Sequence, residues 1–292
     1  MRLTPPLLLL LLTSASAWAE QPPAAKIAPD DQSEAARARE AAVITRKAAE
    51  SYTVTMGTTG EAALALEPKS LLQWSNPVSG SFHGSVFVWT SQGRPEVVAS
   101  IYKWYSQTPH LGVELHSLAH SPVRAVRNGQ PEWVPNRAGV ELKSIPGAPA
   151  PAGSPAQRLR QMRDLAKEFT ASETDRNGVV RELRLLTQPL YRYQSTDSVV
   201  LDGSLFTFAE GTDTEIIMLI EARRGDTGYG WQYALARMNS VALRVQHRKR
   251  EVWSVPTISW EQTFDPREPY TLFTFKPGQD ESVDHLSPVR RQ

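Results

Sequence analysis

GSVFVWTSQGRPEVVAS, residues 84–100, and GSLFTFAEGTDTEIIML, residues 203–219, are two versions of one pattern. Each sets an apolar run against a second one across a Gly-containing turn, which is the signature of a β-hairpin. Identity falls at Gly84/Gly203, Ser85/Ser204, Phe87/Phe206 and Glu96/Glu215, and continues past the quoted stretches to Ile101/Ile220. Apolar character is kept at Val86/Leu205, Trp89/Phe208, Val97/Ile216 and Val98/Ile217. With a one-residue gap, Trp133 falls on Trp253. The pattern predicts an internal tandem duplication.

A helical pattern precedes each hairpin at a similar distance. The first runs from Asp31 to about Tyr52, with Asp31 as N-cap and Glu34 three residues on. Ala41, Ile44, Ala48 and Tyr52 form its apolar stripe, opposite Arg39, Arg46, Lys47 and Glu50. The second opens at Ser154-Pro155-Ala156-Gln157, an N-cap serine followed by proline at the first helical position. Leu159, Met162, Leu165, Ala166 and Phe169 make its stripe. Each unit therefore reads as one helix followed by an antiparallel meander, the helix covering the apolar face of a sheet. The predicted class is α+β, with antiparallel sheets covered by two principal helices.

The strand pattern continues through residues 110–133 and, in the second unit, from 182 to 255. The run IIMLI, residues 216–220, is apolar at every position and predicts a central strand covered on both faces. Residues 1–19 have the form of a signal peptide: Arg2, the apolar run Leu7–Leu12 and Ala17-Trp18-Ala19 before the cut. Six leucines are far short of the roughly 20 residues that span a bilayer. The expected organisation is a signal peptide (1–19), a Pro/Ala leader (20–30), a first unit (31–143), a Pro/Ala linker (144–153), a second unit (154–277) and a polar tail (278–292). The expected location is secreted or periplasmic.

There is no cysteine, which removes disulfides, thiol nucleophiles and Cys-ligated metals from consideration. Cleavage after Ala19 removes one base and no acid, so the 32 bases and 31 acids of the whole chain become equal in number. A neutral chain is not expected to bind nucleic acid through its overall charge. No transmembrane segment is expected either.

Two groups of residues could carry function. Tyr102 and Trp104 share one face of a strand, where the second copy has Glu221 and Arg223. With Trp89 and Tyr105 they are candidate liners of a ligand surface, and the alternative is that they pack beneath the helix. His110, Glu114, His116 and His120 fall within HLGVELHSLAH, residues 110–120, and could hold a zinc-like metal. Glu114 and His116 could also act as an acid/base pair. The spacing is not that of a helical zinc motif, and no cofactor is expected. A nucleophile elbow, a P-loop and a dinucleotide-binding glycine motif are all missing. GDTGYG, residues 225–230, lies between strands and reads as a hairpin loop.

EVVASIYKWYS (96–106), LRLLTQPLYRYQ (183–194) and YALARMNS (233–240) resemble segments of uncharacterised secreted bacterial proteins of a planctomycete type. That resemblance implies an exported globular protein and no particular activity. Residues 183–208, with SLLQWSNP at 70–77, are similar in layout to periplasmic lipoprotein-carrier proteins. This second likeness implies a helix and a curved sheet around an apolar concavity. The leading expectation is an exported, non-catalytic binding protein using an aromatic sheet face or the sheet–helix concavity. Its partner would be a small apolar molecule, a glycan or an envelope protein. A metal-dependent enzyme and an envelope interaction module are the alternatives.

Overall fold

The computed structural model describes residues 31–57, 62–76, 81–105, 108–196, 199–226 and 228–276. The expected signal peptide, leader and polar tail lie outside them, as does the side chain of Asp31.

The first half opens with α1 (Asp31–Glu50), followed by β1 (Tyr52–Met56), β2 (Ala62–Ala63), β3 (Ala65–Leu66) and β4 (Leu72–Asn76). The long hairpin β5 (Phe82–Ser91) and β6 (Arg94–Trp104) comes next, then β7 (His110–Ser117), β8 (Val123–Arg127) and β9 (Gln130–Trp133). A short β10 (Lys143–Ser144) leads to the second half. That half contains α2 (Pro155–Ala166), β11 (Phe169–Thr174), β12 (Val180–Tyr193), β13 (Val200–Glu210), β14 (Asp213–Gly225), β15 (Gly228–Arg237), β16 (Ala242–His247) and β17 (Arg250–Val255). The one-turn α3 (Trp260–Thr263) and β18 (Tyr270–Phe275) close the described chain.

All pairings are antiparallel. One sheet runs β10-β15-β14-β13-β12-β11-β16-β17. In the first half the order is β18-β7-β6-β5-β3, with β4 also on β5, and β2-β1-β8-β9. Leu64, between β2 and β3, donates its N–H to Val54 O and links these two sets.

The registers of the two halves coincide. Gly84 faces Tyr102 and Val88 faces Val98, as Gly203 faces Glu221 and Thr207 faces Ile217. A bulge follows Trp89 in one hairpin and Phe208 in the other. Trp74 pairs with Gly84 and its ring fills the space a Cβ there would need. Tyr193 pairs with Gly203 and does the same. Ala125 faces Trp133 next to a bulge, and Val245 faces Trp253 next to another. The turns that join those strands place Asn128-Gly129 and Arg248-Lys249 at positive φ.

Strand alternation sets the layers. Phe87 and Trp89 turn towards α1, packing with Ala48, Ala49 and Tyr52. Phe206 and Phe208 turn towards α2, packing with Met162, Leu165 and Ala166. The intervening residues, Val86, Val88 and Val98 on one sheet and Leu205, Ile217 and Leu219 on the other, meet in a third core. The order of layers is helix, sheet, sheet, helix. Ile216–Ile220 are fully buried because their strand is covered on both faces. No helix among the described residues is long and apolar enough to cross a membrane.

The last strand of each half joins the other half. β10 follows the first half and pairs with β15 at Gln232 and Tyr233. β18 follows the second half and pairs with β7 from Leu111 to His116. The linker expected from residue 144 onward thus begins inside an edge strand. Tyr52 is not helical; it opens β1 and is still buried. β12 is one long strand, bulged between Leu186 and Tyr191.

Candidate functional site

The exchange of end strands leaves the halves unequal. In the first half β7 belongs to one sheet and β9 ends the other, and residues 266–275 bridge the mouth between them. Val134 and Asn136, just beyond β9, donate their N–H groups to Pro266 O and Arg267 O, each at 2.9 Å. Ser117 N donates to Pro269 O, and β18 then follows β7. Phe273 and Phe275 point into the core beside α1. Beneath this bridge Trp133 is 0% exposed, and its Nε1 donates to Glu268 O at 2.9 Å.

The second half has the same mouth, between β15 and β17, with much less to fill it. β10 supplies two paired residues, and Ile145 N donates to Trp231 O beyond them. α2 has 12 residues against 20 in α1. A cleft of about 600 Å³ remains, lined by Tyr233 and Leu235 of β15, Val252 and Trp253 of β17, and the connector from Arg137 to Lys143. His120 stands on its rim. Trp253, the counterpart of Trp133, is half-buried here. The connector's basic groups are matched by acids, Arg137 by Glu268 at 2.5 Å and Lys143 by Glu141 at 3.1 Å. The cleft is therefore a mixed slot, with aromatic and aliphatic side chains of β15 and β17 on one side and a polar connector carrying His120, Arg137, Glu141 and Lys143 around the other.

A second, smaller cleft of about 210 Å³ lies at one end of the seam between the sheets. Trp74, Phe82, Tyr102 and Glu114 come from the first-half sheet, and Glu210, Asp213 and Glu215 from the other. The opposite end of the seam is its counterpart by register, with Arg94 in the place of Asp213. There Arg94 bridges Glu96 and Glu221, both at 2.8 Å, and Tyr193 Oη donates to Glu221 at 2.5 Å. At the acidic end, burial pushes Glu114 up to about 8, against a hydrogen bond from Tyr270 and with help from the charge of Glu215. Burial likewise raises Asp213 and Glu215, each further raised by neighbouring carboxylates. Glu173, Glu210 and Glu215 bring one oxygen each within 4.8 Å of one another, and Arg181 lies 3.4 Å from both Glu173 and Glu210.

The four aromatic candidates do not make one surface. Trp89 is 1% exposed, sealed in the core against α1. Tyr102 and Trp104 turn away from that helix, so the expectation that they pack beneath it is corrected: their face of the sheet is the one opposite the second sheet. Tyr102 packs on Trp74, and Trp104 stacks on Phe82 at 5.1 Å. Tyr105 donates to Arg37 O at 3.2 Å.

The metal candidates have separate partners. His110, Glu114 and His116 share one face of β7 by alternation. His110 Nδ1 meets Thr108 O at 2.9 Å, Tyr270 donates to Glu114 at 2.7 Å, and His116 Nδ1 meets Ser117 O at 2.8 Å. Burial holds His116 down at about 4. His120 lies beyond the strand, in the 600 Å³ cleft. Among the described residues, the acidic trio above is the group with metal-ligating spacing, and these four are not part of it.

The expectation that the chain also lacks an S-x-x-K pair is corrected by the sequence itself. Ser100-Ile101-Tyr102-Lys103 matches the S-x-x-K of serine acyl-enzymes. On a strand, residues three apart point to opposite faces. Ser100 is buried and accepts a hydrogen bond from Trp74 Nε1 at 3.1 Å, so this pair is not a nucleophile and base.

Comparison with protein-family profiles, with curated proteins and with solved structures finds no match to this chain.

Proposed function

We propose that this chain is an exported, non-catalytic binding protein whose ligand enters the mouth between β15 and β17. It is built as a tandem duplication of a helix-plus-meander unit, each with its own principal helix. The coincident registers, bulges and aromatic-over-glycine contacts support that history. The signal-peptide pattern at residues 1–19 supports export to the periplasm or beyond.

One observation carries the binding reading. The same mouth is closed in the first half by residues 266–275 and left open in the second, where Trp253 replaces the sealed Trp133. A cleft of about 600 Å³ is within the ordinary size of a ligand site. The acidic cleft, at about 210 Å³, offers far less room. The ligand is then an apolar or amphipathic molecule held by the concavity, with the aromatic and aliphatic walls supplying most of the affinity.

Tryptophan emission tests this. Titration with dodecanoate, an apolar peptide and an oligosaccharide should give a saturable change with at least one apolar probe. The change should vanish in Trp253→Phe. Its absence with all three probes, or its persistence in Trp253→Phe, would refute the reading.

A further inference from the structure

The first half also shows what kind of occupant such a mouth accepts. There it is an extended segment of polypeptide. Residues 266–268 run beside the chain that follows β9, and residues 270–275 add a full strand to β7. Phe273 and Phe275, two positions apart, share a strand face and enter the core together. In the second half, β17 is the last strand of its sheet, with no strand on its outer edge among the described residues. Across the mouth, β10 leaves β15 after two residues. Through the register, the part of β7 that β18 covers corresponds to residues 231–236 of β15, of which β10 and Ile145 already take 231–233 and leave 234–236 open. A sheet edge beside a cleft that offers aromatic and aliphatic side chains is the arrangement by which a sheet takes up a peptide as an added strand.

We propose that the ligand is an extended peptide segment of another protein, at least four residues long, with apolar side chains at alternate positions. Its main chain pairs with the edge of β17 near Ser254, continuing the eight-stranded sheet. Its side chains face Leu235 and Trp253, beyond the part of the mouth where Lys143 and Ile145 already lie opposite Tyr233 and Trp231. This inference rests on the binding reading above and adds the chemical class of the ligand. A peptide is favoured over an acyl chain because the matching site is filled by main chain as well as side chains.

The test uses the full chain and a fluorescein-labelled peptide with the sequence of residues 266–275, PREPYTLFTF, read by anisotropy. Two further peptides carry N-methyl groups on alternate amides, one set on each edge. Dodecanoate is titrated in parallel against Trp253 emission. Strand addition predicts saturable binding, weakened at least tenfold by Trp253→Ala and by Val252→Asp. It also predicts that one methylated set binds normally while the other loses at least tenfold in affinity. Equal behaviour of the two sets would overturn main-chain pairing. If dodecanoate binds through Trp253 and the peptide does not, the peptide inference falls and the cleft remains a binding site. If neither binds, both readings fall. Self-association of the chain that the peptide cannot compete away would assign the edge to a second copy and overturn the proposal.

Discussion

Trp133 and Trp253 hold the same place on their strands, yet one is sealed and the other opens onto a cleft. Each is paired across the sheet with a small or branched apolar residue, Ala125 and Val245, beside a bulge. What differs is the segment laid over them. The first carries a bridge of main chain and two phenylalanines; the second carries a connector that touches the sheet at two residues.

The two indoles should therefore differ in their worth to stability. Trp133→Ala leaves a cavity and strands Glu268 O, and should cost about 3–5 kcal/mol. Trp253→Ala should cost less than about 1.5 kcal/mol, since its ring is already partly hydrated. Urea unfolding measures both, and equal losses would contradict the asymmetry.

Glycine is required where an aromatic ring lies on the backbone. A Cβ at Gly203 would sit 2.6 Å from the Tyr193 ring, and one at Gly84 would enter the Trp74 ring. Gly84→Ala and Gly203→Ala should each destabilise by about 1–3 kcal/mol through overpacking. Trimming the ring with Trp74→Leu should recover much of the loss at Gly84. A lack of recovery would place the cost elsewhere.

Arg94 ties the two sheets together at one end of their seam. Removing it leaves Glu96 and Glu221 buried without their shared cation. Arg94→Ala should cost about 3–5 kcal/mol, as for other broken buried pairs. A loss below about 1 kcal/mol in chemical denaturation would mean that the pair is open to water.

The acidic end of the seam predicts a pH dependence. Between about 4.5 and 8, folded Glu114 keeps a proton that the unfolded chain has lost, so this group makes stability fall as pH rises, and above about 6.5 it acts without opposition from His116. Between about 4 and 6.5, the unfolded chain protonates His116 while the folded one does not, so this group makes stability rise with pH. Glu114→Gln should remove the slope that Glu114 causes and raise stability at pH 8 by up to about 4 kcal/mol, the linkage value of a carboxyl held near 8 instead of 4.5, read as a gain in Tm. An unchanged slope between pH 6.5 and 8 would exclude Glu114 as its source.

Much of the architecture is legible in the sequence because it is local. The two long hairpins follow from alternation around Gly-containing turns. The start of α2 follows from Ser154 and Pro155, and Ser154 Oγ does accept from Gln157 N. Ile216–Ile220 announce a strand buried on both faces. The rest depends on which surfaces meet. Alternation places Tyr102 and Trp104 on one face but does not say whether a helix or a sheet lies opposite. Nothing in Lys143-Ser144 or in Tyr270–Phe275 names the sheet each will join, so the exchange of end strands is invisible. Arg158 reads as an exposed helical residue, yet it is buried on Asp202 at 2.9 Å. Of the cleft, the Trp133/Trp253 correspondence was the one readable trace; Tyr233, Leu235 and Val252 look like any strand.

Fluorine NMR of protein carrying 5-fluorotryptophan tests the open mouth most directly, with Trp133 and Trp253 assigned through their Phe variants. On titration with the 266–275 peptide or dodecanoate, the Trp253 resonance should shift and saturate while that of Trp133 stays in place. A Trp253 resonance unmoved by either probe, or a Trp133 resonance that moves as far, would contradict a site in the second half.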